Sequence, residues 1–218
     1  MTQPAISKFV DATLAFRRWA AEHLAEYGPG DWGASYDDWP AFTRAFCDLL
    51  DATEPADWDQ PLVDLVLYAL ARDDDAEVLK DELLARPAHL MVLAEAAPLS
   101  SEYAAKWQIA DALGTADVDS ALVVPIIERL LQDSDEYVTR IALISLSVRG
   151  SERLEFWAKR AWDTGDQYQR MVALDAFAAA KSSHLVHYLR EAEAMAVSFL
   201  CVMPPACGVR GRRRVRSA

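Results

Sequence analysis

Residues 102–113 read EYAAKWQIADAL, residues 135–146 read DEYVTRIALISL and residues 166–177 read DQYQRMVALDAF. Aligned on their first acid, the three segments place Lys106, Thr139 and Arg170 in one slot and Ile109, Ala142 and Ala173 in the next. They end on Ala112-Leu113, Ser145-Leu146 and Ala176-Phe177, with steps of 33 and 31 residues between copies. A helix pair alone exposes an apolar face, so recurrence at this period predicts stacked pairs that cover one another. The leading acids, Glu102, Asp135 and Asp166, suit helix starts, where free amides and the positive end of the helix dipole favour a carboxylate. Small residues at Ala112, Ser145 and Ala176 predict close helix approach, with Leu113, Leu146 and Phe177 filling the seam.

A degenerate earlier copy starts at Asp59, with Val63, Val66 and Ala69-Leu70 in the same slots, 43 residues ahead of the next. Partner helices are expected over 75–86, 88–96, 118–132, 151–162 and 182–195. Upstream, 7–27 has apolar residues at helical spacing and stops at Gly28-Pro29-Gly30, and Pro40 suits the first turn of a helix running to Leu50. Strand signals are nearly absent, and the run 121–127 sits between Asp119-Ser120 and Glu128-Arg129, which fits a helix better. The expected organisation is a helical capping region over 1–56, a repeat array over 57–195 and a basic, disordered tail over 196–218.

The order of an acid, a basic or small residue four later, and then A-x-x-A-L, preceded by a helix such as 122–131, resembles the bacterial HEAT and HEAT-like repeat proteins. Matching copies cover about 98–194. Departures are Thr139 for the usual arginine, Gln169 for the usual valine before it, and a glycine after A-L only at Gly114. The resemblance implies an all-α, right-handed α-solenoid of stacked antiparallel helix pairs. It also implies that the second helix of each pair lines a concave wall, here 60–72, 101–114, 135–149 and 166–179.

Charge narrows the partner. The formal net charge is −12, with 22 basic and 34 acidic residues, but five of the cations are Arg210, Arg212, Arg213, Arg214 and Arg216, beyond the last acid at Glu193. The remainder repels phosphate backbones, whose affinity for proteins comes largely from lysine and arginine. A basic protein or peptide fits better, such as a basic nuclease toxin for which this chain is the immunity protein. The expected binding face comprises Glu102, Tyr103, Trp107, Asp111, Glu136, Arg140, Asp166 and Asp175: carboxylates that steer a cationic partner and aromatic anchors that are desolvated on contact. Most of the seven tryptophans are expected in the core, Trp157 between helix pairs, whereas Trp32 and Trp58, in loop-like surroundings, are interface candidates.

Enzymatic readings find less support. A HEAT-like alkylpurine DNA glycosylase is the alternative: Arg140 and Arg170 for phosphates, Trp107 to stack on a base, Asp111 or Asp175 for a developing cation. It requires Lys106, Arg140 and Arg170 to form one basic groove. No histidine precedes a glutamate, so the His-Glu pairs of HEAT-like metal hydroxylases are lacking. His184, His187 and Glu191 share a helical face, a spacing that an outward polar face also produces. No G-x-S-x-G elbow or Gly-rich phosphate loop occurs, and Asp73-Asp74-Asp75 and 133–136 read as helix caps rather than calcium ligands. No metal and no cofactor are therefore expected. Cys47, Cys201 and Cys207 form no disulfide framework, the N-terminus lacks a signal-peptide pattern, and the uncharged run 194–209 contains Pro204 and Pro205. Together these predict a cytoplasmic protein.

Overall fold

The computed structural model describes residues 2–27 and 32–202. The fold is all-α, and the described residues contain no strand. In chain order the helices are α1 (Thr2–Tyr27), α2 (Trp32–Ser35), α3 (Trp39–Ala52), α4 (Gln60–Leu70), α5 (Val78–Leu84), α6 (Pro87–Ala96), α7 (Tyr103–Thr115), α8 (Ser120–Leu130), α9 (Glu136–Arg149), α10 (Leu154–Asp163), α11 (Gln167–Ala179) and α12 (Leu185–Val202). The last helix continues past the boundary expected at 195, while 203–218, with the arginine-rich segment, lie outside the described residues.

Local chemistry sets the helix ends. Asp135 accepts hydrogen bonds from the Tyr137 and Val138 amides, Asp166 from those of Tyr168 and Gln169, and Asp59 from Leu62. Glu102 stands at the corresponding position but makes no cap. Its longer side chain instead pairs with Arg72 from the end of α4. Gly150, at φ 63°, closes α9 in the left-handed region that a side chain strains to adopt.

Helix α9 is the hub. It packs on α7 along one flank and on α11 along the other, with α8 and α10 against its back. The contact with α7 is close: a Cβ added at Gly114 would stand 3.0 Å from Ser145 Oγ and 3.2 Å from Ser145 Cα. Trp107 meets Tyr137 and Gly114 meets Ser145, so the two helices run parallel. Arg149 then ties off the C-terminal end of α7. Its Nε donates to Leu113 O at 2.7 Å, Nη2 to Ala116 O at 2.6 Å and Nη1 to Val118 O at 3.0 Å. These are carbonyls at and beyond a helix end that lack intrahelical partners, at the pole where a cation is also favoured by the dipole.

Upstream of α7 the 43-residue step does not describe the contacts. Gln108 Nε2 donates to Leu70 O at 2.7 Å, Arg72 pairs with Glu102, and Lys80 Nζ lies 2.6 Å from Asp111 Oδ2. The end of α4 therefore meets the start and middle of α7, and the extra helix α5 occupies the place beside Asp111. The N-terminal region has a core of its own made of rings: Phe9, Phe16, Phe42 and Phe46 are fully or almost fully buried, with Trp32 and Trp39 around them. Phe16 is 5.6 Å from Trp39 and 6.4 Å from Tyr68, which joins this core to α4. Trp32 and Trp58 are buried, so the expectation that they serve an interface is corrected. Trp32 packs on Phe16, and Trp58 Nε1 donates to Thr53 Oγ1 at 2.8 Å.

Replacing Arg149 with Met is expected to cost about 2–4 kcal/mol, since three part-buried carbonyls lose their donors. Gly114→Ala is expected to cost about 1–3 kcal/mol from overpacking against Ser145. Lys159→Met, which breaks an exposed pair with Asp163, should leave stability unchanged within the precision of the measurement. Urea unfolding followed by far-UV circular dichroism gives all three values.

Candidate functional site

Helices α7, α9 and α11 each turn one side-chain row away from the helices behind them. On α9 this row is Tyr137, Ile144 and Val148, at helical intervals of seven and four, opposite buried Ala142 and Leu146. Exposure reaches 42% for Ile144 and 61% for Val148. On α11 the row is Tyr168, Met171 and Asp175, and on α7 it is Tyr103, Trp107, Asp111 and Thr115. Ile144 occupies the same slot of its copy as Asp111 and Asp175 do of theirs, so an apolar ridge on the middle helix is flanked by one carboxylate on each neighbour.

The eight residues expected at the site fall into three groups. Trp107, Glu136 and Arg140 are drawn together. The Trp107 and Tyr137 rings meet edge to face at 5.4 Å, and the Arg140 guanidinium lies between the rings of Tyr137 at 4.7 Å and Tyr168 at 4.9 Å. Trp107 itself is buried and offers only an edge. Glu102 and Asp111 are engaged elsewhere. Glu102 pairs with Arg72, which stacks on Tyr68 at 4.0 Å, and Asp111 shares Lys80 with Glu77. Burial of Lys80 works against its charge, but the two carboxylates outweigh it and raise its pKa above the ordinary lysine value. The third group is exposed: Tyr103, Asp166 and Asp175, of which Asp175 makes no ion pair among the described residues.

Tyr137, Tyr168, Ile144, Val148 and Met171 were not singled out from the sequence. The signal was present in the apolar identity of Ile144 and Val148 on the face opposite the conserved-looking small residues of the pattern. It was masked because an isoleucine at helical spacing ordinarily reads as core.

The cations do not form one track among the described residues. Lys106 Nζ lies 2.6 Å from Asp133 Oδ2. Burial pushes the Asp133 carboxyl up, but Lys106 and the Asp135 and Ser134 amides more than compensate, and its pKa falls below the ordinary carboxylate value. Arg170 donates to Trp162 O at 3.3 Å, contacts Met195 Sδ at 3.0 Å and lies over the Trp162 ring. Arg140 is held by its tyrosines. Lys106 and Arg170 are thus engaged by separate partners, and Arg140 stands apart from both beside its two tyrosines.

A cavity of about 370 Å³ opens between the α8–α9 and α10–α11 turns, lined by Trp157, Arg160, Gln132, Asp133, Thr139 and Gln169 among others. Buried Gln169 crosses from α11 to α9 there, donating to Glu136 O at 2.9 Å and Thr139 Oγ1 at 2.7 Å. Trp157 is buried, its Nε1 donating to Glu128. His187 and Glu191 lie 3.4 Å apart on an exposed face. Among the described residues no three His, Cys, Asp or Glu side chains gather in a metal-binding arrangement, and no helix is long and apolar enough to cross a membrane.

Comparison with protein-family models, with curated proteins and with solved structures gives no match to this chain.

Asp73 caps rather than binds. Its Oδ2 accepts from the Leu79 amide at 2.6 Å, at the start of α5. Burial raises its pKa to about 6, against the opposing hydrogen bond from Leu79 and with Glu77 and Asp74 adding to the rise. A folded-state pKa above the unfolded value means that the native state holds the extra proton between about 4 and 6. This group's contribution to stability is therefore lost as pH rises through that window. Asp73→Asn keeps an oxygen acceptor for Leu79 and carries no charge. Relative to the parent chain, the variant should gain stability from pH 4.5 to 7.0 in urea titrations, and a pH-independent difference would contradict the assignment.

Proposed function

We propose that this chain is a HEAT-like α-solenoid that acts by binding another protein without catalysing a reaction, and that the exposed row of α7, α9 and α11 is its binding face. The supporting observation is the ridge of Tyr137, Ile144 and Val148 with Tyr168 and Met171 beside it. These large apolar side chains stand exposed on adjacent helices, although the helices behind them are closely packed. Parallel packing at offsets near the repeat step, with α8 and α10 behind, supports the solenoid reading, and α7, α9 and α11 are then its inner helices.

The partner that fits presents apolar residues to the ridge and cations to its borders. Burying an apolar side chain of this size contributes roughly 1.5–3 kcal/mol, so the ridge supplies affinity. The carboxylates supply orientation and speed of encounter. Not all five expected acids contribute equally. Glu102 and Glu136 lie against Arg72 and Arg140, and Asp111 is shared with Lys80. Asp166 and Asp175 carry the charge that remains for a partner, so attraction is strongest on the α11 side.

A fluorescein-labelled amphipathic peptide of leucine and lysine provides the probe. We expect Ile144→Ser with Val148→Ser to weaken its binding at least tenfold in fluorescence anisotropy with little change in salt dependence. Asp175→Lys with Asp166→Asn should weaken it about threefold to tenfold and flatten the salt dependence. Unchanged affinity in both double variants would sink the assignment of this face.

A further inference from the structure

The geometry points to Arg140 as a recognition site for a side-chain carboxylate of the partner, set at the edge of the apolar ridge. This inference rests on the row of α7, α9 and α11 being the docking face, and it adds an anionic group to a partner otherwise recognised by apolar and cationic ones.

Three arginines of this chain have nearly the same side-chain exposure: Arg72 and Arg86 at 24% and Arg140 at 23%. Two of them spend their terminal nitrogens on carboxylates. Arg86 Nη2 lies 2.6 Å from Asp51 Oδ1 and its Nη1 2.6 Å from Glu82 Oε2, and Arg72 Nη1 pairs with Glu102. Arg140 differs. Glu136 Oε1 lies 3.2 Å from its Nε, which is buried without a directed hydrogen bond, and Nη1 and Nη2 have no acceptor among the described residues. The buried Nε is left without a directed partner, and Nη1 and Nη2 remain available to an incoming acceptor.

The two tyrosines make the guanidinium ready for such an acceptor. Rings centred 4.7 and 4.9 Å from its Cζ restrict its rotation and leave the Nη1–Nη2 edge as the part not engaged by the described residues. That edge is the fork that takes a carboxylate bidentately. Arg72 shows the completed arrangement inside the same molecule: a guanidinium 4.0 Å over Tyr68, with the carboxylate of Glu102 at its terminal nitrogen. At Arg140 a second ring is added, and the protein's own carboxylate, Glu136, lies at Nε rather than at a terminal nitrogen. Glu136 beside the site disfavours a dianion more than a monoanion, which selects carboxylate over phosphate. Arg140 lies one helical turn before Ile144, so an acidic residue bound there belongs to the same partner segment as the residues on the ridge.

The test uses the full chain labelled with ¹⁵N and three probes: acetylated, amidated Gly-Glu-Gly, its Gln analogue, and acetylated Gly-Gly-Gly with a free C-terminal carboxylate. The Glu probe should shift the Arg140 Nε–Hε signal saturably, in the millimolar range, and perturb the Tyr137 and Tyr168 ring signals. The Gln probe should require at least tenfold higher concentration. Arg140→Gln should abolish the ring perturbations, and Arg140→Lys, which keeps the charge but not the fork, should weaken binding at least threefold. Thermal melts of both variants within a few degrees of the parent show that the fold is intact.

Equal responses to the Glu and Gln probes, or ring perturbations unchanged in Arg140→Gln, would overturn the assignment. A response to the free C-terminal carboxylate alone would overturn it in favour of a chain terminus. Binding of the leucine–lysine peptide at Ile144 and Val148, with Arg140 silent to the Glu probe, would reject this inference and leave the docking face standing. The reverse outcome would reject the cationic partner and keep the carboxylate site.

Discussion

Contact between α7 and α9 across Gly114 and Ser145 sets the spacing on which the rest of the structure depends. With no room for a Cβ at Gly114, the two backbones approach closely enough for Arg149 to reach past the end of α7 and collect three carbonyls. The same approach brings Trp107 against Tyr137 at the other end. Four features thus go with one short distance along a single helix pair: a tight C-terminal half, a capped end, an aromatic edge contact and a fixed parallel register.

Register propagates function. Because α9 and α11 keep a step close to that of α7 and α9, Arg140 from one helix falls between its own Tyr137 and the Tyr168 of the next, and Gln169 bridges back to Thr139. A slip of one turn would separate the guanidinium from the second ring and dissolve the ladder. The exposed ridge has the same origin. Once Ala142, Ser145 and Leu146 are turned toward neighbouring helices, Ile144 and Val148 are left on the open side by helical geometry alone.

Polar side chains that look like a site in one dimension are mostly structural in three. Asp73, Asp135 and Asp166 hold helix starts, Glu102 clamps Arg72, and Asp133 neutralises Lys106. Each has a local partner that lowers the cost of placing charge near an apolar core. Carboxylate count is therefore a poor guide to the field at the binding face, where the residues without partners decide the outcome.

The helical class, the caps at Asp135 and Asp166 and the burial of the small residues Ala112, Ser145 and Ala176 were legible in the sequence, because each depends on nearest neighbours along the chain or on a period that recurs. Trp32 and Trp58 were misread as surface, since turn-like flanking residues carry no information about the rings of Phe16 and His89 that pack on them. The extra helix α5 beside Asp111, the capping of α7 by Arg149 and the Tyr137–Arg140–Tyr168 sandwich were invisible for a related reason. Their partners lie about thirty residues or more apart, and a periodic pattern specifies which residues face one another only where the period holds. Sequence alone determined that helices would form and where acids such as Asp135 and Asp166 would start them. Only the tertiary structure decided which charges found partners and which arginine was left with an open edge, because that depends on distances between helices that no local rule sets.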